Sequence, residues 1–218
     1  MSHAPFETHT DAYDEWYDAH AGAYRLERAA LERALPDDFD AERALEVGVG
    51  TGRFAGTLGI GVGIDPARAP LERARERGVD PIRGVAELLP VGTGTLDLVA
   101  FVTVLSFVDD LERTLAEARR VLAADGTLVL AVLDRSSPIG QVYQKHKDES
   151  PFYARAEFLT ADEASAALAN AGFEIERRVQ TIVDDPGAIG DDPDVSSGVR
   201  PGHGDGLFAV VRATPGDR

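Results

Sequence analysis

The sequence predicts a doubly wound α/β fold, a mostly parallel sheet with helices on both faces. Three observations predict it. Short apolar runs that suit strands alternate with helical patterns along the chain, as βαβ units require. The run Leu96-Asp97-Leu98-Val99-Ala100-Phe101-Val102 is almost continuously apolar, which suits a strand covered on both faces. Ala44-Leu45-Glu46-Val47 runs directly into the glycines of Gly48-Val49-Gly50-Thr51-Gly52, as a buried strand feeding a tight turn does.

The elements follow in order. Residues 6–34 predict helix, with Tyr13, Trp16, Tyr17 and Tyr24 at mixed three- and four-residue spacing. Pro36-Asp37-Asp38 stops it. After the first strand, Thr51 is expected to cap a short helix over 53–58. Residues 60–64 predict a second strand, halted by Asp65-Pro66, and residues 67–77 a helix ended by Gly78. Residues 79–83 predict a third strand. Asp109 and Glu112 have capping-box spacing ahead of the stripe Leu111, Leu115, Ala118, Leu122. Asp125-Gly126 predicts a turn into a strand over 127–133. Thr160 and Glu163 form another capping box, opening a helix that stops at Gly172. Residues 173–183 and 206–213 predict closing strands. Two stretches interrupt the alternation. Residues 136–158 carry Lys145, His146 and Lys147 among aromatic side chains. Residues 184–205 are rich in Asp, Gly and Pro and predict a long surface loop.

Composition narrows the function. The chain has 218 residues, 44% of them hydrophobic, enough for a full core. No apolar run is long enough for a transmembrane helix, and residues 1–7 lack the features of a secretory signal. Cysteine is absent, which excludes disulfides, thiolate metal sites and cysteine nucleophiles. A cytoplasmic protein is expected. His3, His9 and His203 are scattered, so no metal site is expected. Asp plus Glu number 38 against 22 for Lys plus Arg, a net charge of −16. A chain this acidic should repel nucleic acid and anionic membranes. With Lys145 and Lys147 as its only lysines, it reads as a halophilic surface adapted to salt, where screening relieves self-repulsion.

The glycine turn carries the chemistry. Ligands of open parallel sheets bind beyond the carboxyl ends of the strands. Glycines there let backbone approach a ligand closely, and the amides from Thr51 onward suit a carboxylate. A dinucleotide fingerprint wants glycines at the first, third and sixth positions. From Gly48 the third position is Gly50, but the sixth is Arg53, and the glycines fall instead at first, third and fifth. Asp65, at the end of the second strand, can accept both hydroxyls of a ribose or cap the helix ahead of Pro66, and the two roles are compatible.

Glu46 to Phe54, followed by Gly63-Ile64-Asp65-Pro66, resembles the first two motifs of class I S-adenosylmethionine-dependent methyltransferases. Arg83-Gly84-Val85-Ala86-Glu87-Leu88-Leu89-Pro90 resembles the loop after the third strand that flanks adenine. Leu96-Asp97-Leu98-Val99, Ala116 to Leu122 with Gly126-Thr127-Leu128, and Ala171-Gly172-Phe173-Glu174 continue the match. It is nearest the small-molecule group called type 11 and covers roughly residues 40–183. The resemblance implies a seven-stranded sheet with an antiparallel last strand, and S-adenosyl-L-methionine as the methyl donor. It implies that Glu46, Gly48, Gly50, Thr51 and Gly52 hold the methionine part. Asp65 would then bind the ribose, Pro66 pack on adenine, and Ala86, Glu87 and Leu88 edge the adenine ring. Phe101, Val102 and Thr103 would lie beneath the cofactor. Two departures stand out: Val85 replaces an Asp common in relatives, and Val104-Leu105-Ser106-Phe107 lacks their His.

One domain is expected over 1–218. It divides into a helical cap over 1–36, the cofactor core over 40–135, a substrate lid over 136–158, and a closing segment over 159–218. The expected partner is a small-molecule methyl acceptor reacting at N or O, with no nucleic acid and no membrane, in a monomer or homodimer. A protein that binds the cofactor without transferring its methyl group is the alternative. Tyr13, Tyr17 and Asp134 are the leading catalytic candidates, with His20, Tyr24, Tyr143 and His146 as further candidate bases. Each has a plainer alternative: helix-to-sheet packing for the aromatic residues, a loop cap for Asp134, a solvated surface for His146.

Overall fold

The computed structural model describes residues 4–216. Met1–His3 and Asp217–Arg218 lie outside the described residues, and with them the expectation for His3. The strands are β1 (Ala44–Val47), β2 (Val62–Asp65), β3 (Asp80–Arg83), β4 (Leu96–Val102), β5 (Leu122–Leu133), β6 (Phe173–Thr181), β7 (Arg200–Pro201) and β8 (Phe208–Pro215). They form one sheet in the order β3-β2-β1-β4-β5-β8-β6-β7. β1 to β5 pair in parallel, and β8 is antiparallel to both β5 and β6. The expected seven strands are thus joined by β7, a two-residue edge strand drawn from the stretch expected to be a bare loop.

The strand order reverses at β1 and β4, and a cleft opens beyond their carboxyl ends, where the topology requires it. Both faces of β4 are buried. Leu98, Ala100 and Val102 join one core cluster, while Val99 and Phe101 join the other.

The helical run over 6–34 is broken at His9 and His20 into α1 (Ala4–Thr8), α2 (Thr10–Ala19) and α3 (Ala21–Ala34). α3 lies on one face of the sheet with α4 (Arg53–Leu58) and α5 (Arg68–Glu76). Ala23, Leu26, Ala30, Leu31 and Ala34 form its buried stripe, at the spacing an amphipathic helix needs. The other face carries α6 (Leu111–Val121) and α8 (Ala161–Asn170), with α7 (Pro138–His146) between them in the chain.

Three caps differ from expectation. Asp110, not Asp109, caps α6, because Asp110 has the extended backbone a cap needs and accepts from Arg113 N at 2.9 Å. Thr51 does not cap α4; Gly52 stands at that position with a left-handed backbone. Asp125-Gly126 makes no separate turn but lies within β5, beside an irregular register against β4. The capping box of Thr160 and Glu163 opens α8 as expected.

The stretch over 184–205 is tied down. It forms a short α9 (Val195–Gly198) and braces α3. Arg33 donates to the carbonyls of Val199 and Val195, and Arg25 pairs with Asp192 at 2.7 Å. Gly22 is packed so closely that a Cβ would stand 2.0 Å from the Gly190 carbonyl oxygen.

Candidate active site

Gly48, Gly50 and Gly52 all have positive φ, at +74°, +52° and +73°. Gly48 is further fixed by contact: a Cβ there would stand 2.2 Å from Val104 Cγ2. At Gly50 a Cβ would meet nothing, because that position faces the cleft. The turn is pinned to β2 through Gly48 N and Val49 N, which both donate to the Ile64 carbonyl. Asp65 pins it a second time. Its Oδ2 accepts from Gly50 N at 3.0 Å and its Oδ1 from Ala67 N at 2.8 Å, so one carboxylate joins the turn to the start of α5.

Glu46 sits under the turn, 2% exposed, and its Oε2 has no hydrogen-bond partner among the described residues. Burial pushes its carboxyl up to about 8, against a pull downward from the Ala55 amide. An orphaned buried oxygen beneath an open glycine cradle fits a ligand with its own donors, such as the ammonium of an amino acid. The residues present therefore fit the methionine end of S-adenosylmethionine.

Helix α2 closes over the turn through Asp14. Thr51 Oγ1 donates to Asp14 Oδ1 at 2.8 Å, Arg53 Nε to the same oxygen at 3.2 Å, and Arg77 Nη2 to Oδ2 at 2.7 Å. Burial draws the Asp14 carboxyl upward, but the hydrogen bonds from Arg77 and Thr51 outweigh it and hold it below the ordinary aspartate value.

From the turn the cleft runs into a cavity, together about 990 Å³ with the open mouth included. The far end is walled by Tyr13, Trp16 and Tyr17 of α2, Glu27 of α3, Tyr143 of α7, and Tyr153. Phe6, Phe107, Leu133, Pro186 and Leu207 complete it. Tyr13 and Tyr17 meet edge to face at 5.2 Å, and Phe152 packs on Phe6 at 5.5 Å. Among the described residues two acids, Glu27 and Asp65, line the whole space, and no Lys, Arg or His does.

The cavity sets its own titration. Burial raises the hydroxyls of Tyr13, Tyr17 and Tyr153, and raises Tyr143 to about 12; the charge of Glu27 adds to all four. These phenols are held protonated at neutral pH, and Tyr13 and Tyr17 line the cavity beside Glu27. Burial alone pushes Glu27 up to about 8.

The expected site residues divide in three. Gly48, Gly50, Thr51, Asp65, Pro66, Val102 and Thr103 line the cleft with Tyr13 and Tyr17. Thr103 does so with a φ of +56°, a strained setting for a β-branched residue, of the kind that clusters at functional sites. Glu46, Gly52 and Phe101 support it from behind. Ala86, Glu87 and Leu88 lie outside the cavity walls. Ala86 is buried, Glu87 Oε1 accepts from Asp109 N at 2.8 Å, and Leu88 is 64% exposed.

Asp134 is a turn cap and does not reach the cavity. It is fully buried, and its Oδ1 accepts from Ser136 N and Ser136 Oγ. Three further candidate bases are also occupied elsewhere. Tyr24 donates to the Arg53 carbonyl, His20 stacks on Trp16 at 4.3 Å, and half-exposed His146 faces Glu149.

Glu27, Asp14 and Tyr153 were not among the expected site residues. For Glu27 a signal was present: it falls in phase with Ala23, Ala30 and Ala34, so the helix period carries it to the buried face.

Comparison with known proteins adds the following. A family profile described as a methyltransferase domain matches residues 45–130. The crystal structure of an S-adenosylmethionine-dependent methyltransferase from Thermotoga maritima, named as a possible histamine N-methyltransferase, is similar to this chain. It is 38% identical, covers 96% of this chain and 97% of its own, and superposes with a TM-score of 0.89. An uncharacterised protein of Methanocaldococcus jannaschii is 33% identical over 208 residues, 95% of this chain and 97% of its own length. The malonyl-[acyl-carrier protein] O-methyltransferase of Geobacter sulfurreducens is 32% identical over 177 residues, 72% of this chain and 65% of its own length.

Proposed function

The chain belongs to the S-adenosylmethionine-dependent methyltransferases, and on that premise we propose that its acceptor is a small molecule methylated at nitrogen or oxygen. The observation that carries this reading is the continuity of the cleft. One space leads from the glycine turn to a cavity walled by aromatic side chains and closed over by α2. A pocket lined this largely by aromatic and apolar side chains, with a few polar groups, suits a small ligand.

When bound, S-adenosylmethionine supplies a methyl group already activated for displacement. This chain's own part is chiefly to position the acceptor, and positioning is worth much of the rate in such a transfer. In this reading Gly48, Gly50, Thr51 and Gly52 cradle the methionine end, and the Glu46 carboxylate takes its ammonium. Asp65 would reach the ribose while still holding Gly50, Pro66 would pack on the adenine, and Ala86, Glu87 and Leu88, outside the cavity walls, would edge the ring from beyond them. Phe101, Val102 and Thr103 form the floor. Tyr13 and Tyr17 exclude water from the reacting atoms. Residues 136–158 act with the N-terminal helices as the substrate lid, since Phe152 packs on Phe6 and Tyr13 while Tyr143 and Tyr153 line the cavity that α2 also walls.

The names of the similar proteins point two ways, to an amine acceptor and to a malonyl acceptor. The test is transfer of labelled methyl groups to amines, phenols and carboxylates, run beside protein and nucleic-acid substrates. Label on small molecules alone is the expected outcome. Label on a polymer and on no small molecule sinks the reading.

No helix among the described residues is long and apolar enough to cross a membrane. We read the net charge of −16 as adaptation to a salt-rich cytoplasm.

A further inference from the structure

Glu27 lies where a carboxylate is costly. Its side chain is on the buried face of α3, 5% exposed, yet it lines the cavity. Its Oε2 has no hydrogen-bond partner among the described residues. Burying such a group without a partner is unfavourable, and carboxylates in this setting are ordinarily paired. The described residues offer no internal remedy. Among the described residues no basic side chain lines the cavity, and Asp65, its other acid, is engaged by two backbone amides. Nor can α3 rotate to carry Glu27 to solvent, because Gly22 and Arg33 lock that helix against the segment over 184–205. The group that satisfies Glu27 must enter from the cavity.

Its surroundings define that group. Tyr13, Tyr17, Tyr143 and Tyr153 stand close enough to feel its charge, and Trp16 completes the wall. Aromatic faces attract cations, most strongly when water is excluded. An anionic acceptor would set like charges side by side in an apolar space. An alcohol or phenol can donate a hydrogen bond to a carboxylate but cannot balance its charge, so Glu27 would stay protonated beside it. An ammonium supplies both the charge and the donors.

We propose that the acceptor is a primary or secondary amine that binds as its ammonium against Glu27, within the tyrosine walls, and gives Glu27 its proton. This rests on the small-molecule reading above and names the substrate class of the same site. In the step, an N–H bond breaks and an O–H bond forms on Glu27. The freed nitrogen lone pair makes the N–C bond while the methyl carbon–sulfur bond breaks with its electrons left on sulfur. The product leaves as an alkylated ammonium, and Glu27 returns its proton to water. Burial places Glu27 near 8, in the range where a general base works best at neutral pH. The groups facing it are the four tyrosines, all protonated there. Glu46, also near 8, lies at the cofactor end and couples to Tyr13.

The test uses the full chain saturated with S-adenosylhomocysteine, so that binding is read without turnover. Calorimetric titration compares 2-phenylethylamine and a short dialkylamine with 2-phenylethanol and phenylacetate. The amines should bind at least ~10-fold tighter than the neutral analogue, and the carboxylate should not bind. Glu27→Gln should weaken amine binding ~10- to 100-fold, the scale of a hydrogen bond to a charged group, while binding of S-adenosylhomocysteine changes less than about 2-fold. Glu27→Asp should recover part of the loss. Proton release on amine binding, read in buffers of different ionisation enthalpy, should vanish in Glu27→Gln. Equal binding of amine, alcohol and carboxylate, no binding by either amine, or amine binding untouched by Glu27→Gln overturns the proposal. Methyl transfer to a small phenol or carboxylate with amines inert overturns it and leaves the small-molecule reading standing. Transfer to a polymer alone overturns both.

Discussion

Arg77 at the end of α5 donates to Asp14 on α2 across 2.7 Å, and through that contact the helix covering the cleft is fastened to the cofactor-binding half of the sheet. Arg53 and Thr51 converge on the same carboxylate. With Asp11–Arg73 and Asp18–Arg53 on the same helix, the cover is held by charge as well as by apolar area, and Asp14 is the residue on which most of these contacts meet.

Asp14→Ala should destabilise the chain by about 1–3 kcal/mol, since it leaves two part-buried guanidinium groups short of an acceptor. It should also weaken binding of S-adenosylhomocysteine, because Thr51 loses its anchor. Urea denaturation and calorimetry measure the two effects. The folded state holds Asp14 below its ordinary value. Its contribution is present above about pH 4 and is lost as pH falls through the lower, folded value. The variant should show a smaller loss of stability on acidification.

Asp65→Ala should weaken cofactor binding by at least ~1.5 kcal/mol, the scale of a lost hydrogen bond to a charged group. The Gly50 amide, one of its partners, also loses its acceptor in this variant. An unchanged dissociation constant would reduce Asp65 to a cap and tether.

Gly48→Ala faces two separate penalties: a positive φ worth roughly 1–2 kcal/mol to an L-residue, and a collision with Val104. Val104→Ala in the same chain should relieve the collision and leave the backbone cost. If the double variant is no more stable than Gly48→Ala, the collision is not what constrains Gly48. Thermal denaturation of the three variants decides it.

Glu27 and Glu46 tie stability to pH in the opposite sense from Asp14. Folding raises both above the ordinary glutamate value of 4.5. Their contribution is complete below that value and is lost as pH rises toward about 8. Stability should therefore fall between pH 5 and 8, and Glu27→Gln should flatten part of the fall. Urea titrations across that range, in the absence of ligand, test it.

At a net charge of −16 the folded chain repels itself. Raising KCl from about 0.1 M to about 2 M shortens the Debye length from ~10 Å to a few Å. The unfolding midpoint should rise with salt, and more steeply than in a chain of near-neutral charge. A flat response would remove salt adaptation as the meaning of the acidic surface.

The glycine turn and Asp65 were legible because their signal is local. Positive φ demands glycine, and the spacing of the glycines separates this turn from a dinucleotide fingerprint. β4 was legible because a strand buried on both faces cannot alternate. Thr51 was misread for the same reason. Sequence supplies only neighbours, so the hydroxyl was assigned to the adjacent helix, whereas its partner Asp14 is distant in the chain. The stretch over 184–205 was read from its Asp, Gly and Pro as a bare loop, but its partners, Arg25 and Arg33, lie in α3. Glu27 was hidden by residue type: an acid in a helix reads as surface until its phase is counted.

The walls of the acceptor cavity run from Phe6 to Leu207, close to the two ends of the chain. The glycine cradle and its supports, by contrast, are complete by Val104. As the chain emerges during synthesis, the donor end of the cleft can form while the acceptor end is still missing its last wall. The contacts that finish the cavity are also those of longest sequence separation, which form late because their loop closure is costly. The far wall draws on segments from both sides of the cradle in the sequence, so it is complete only after the cradle is.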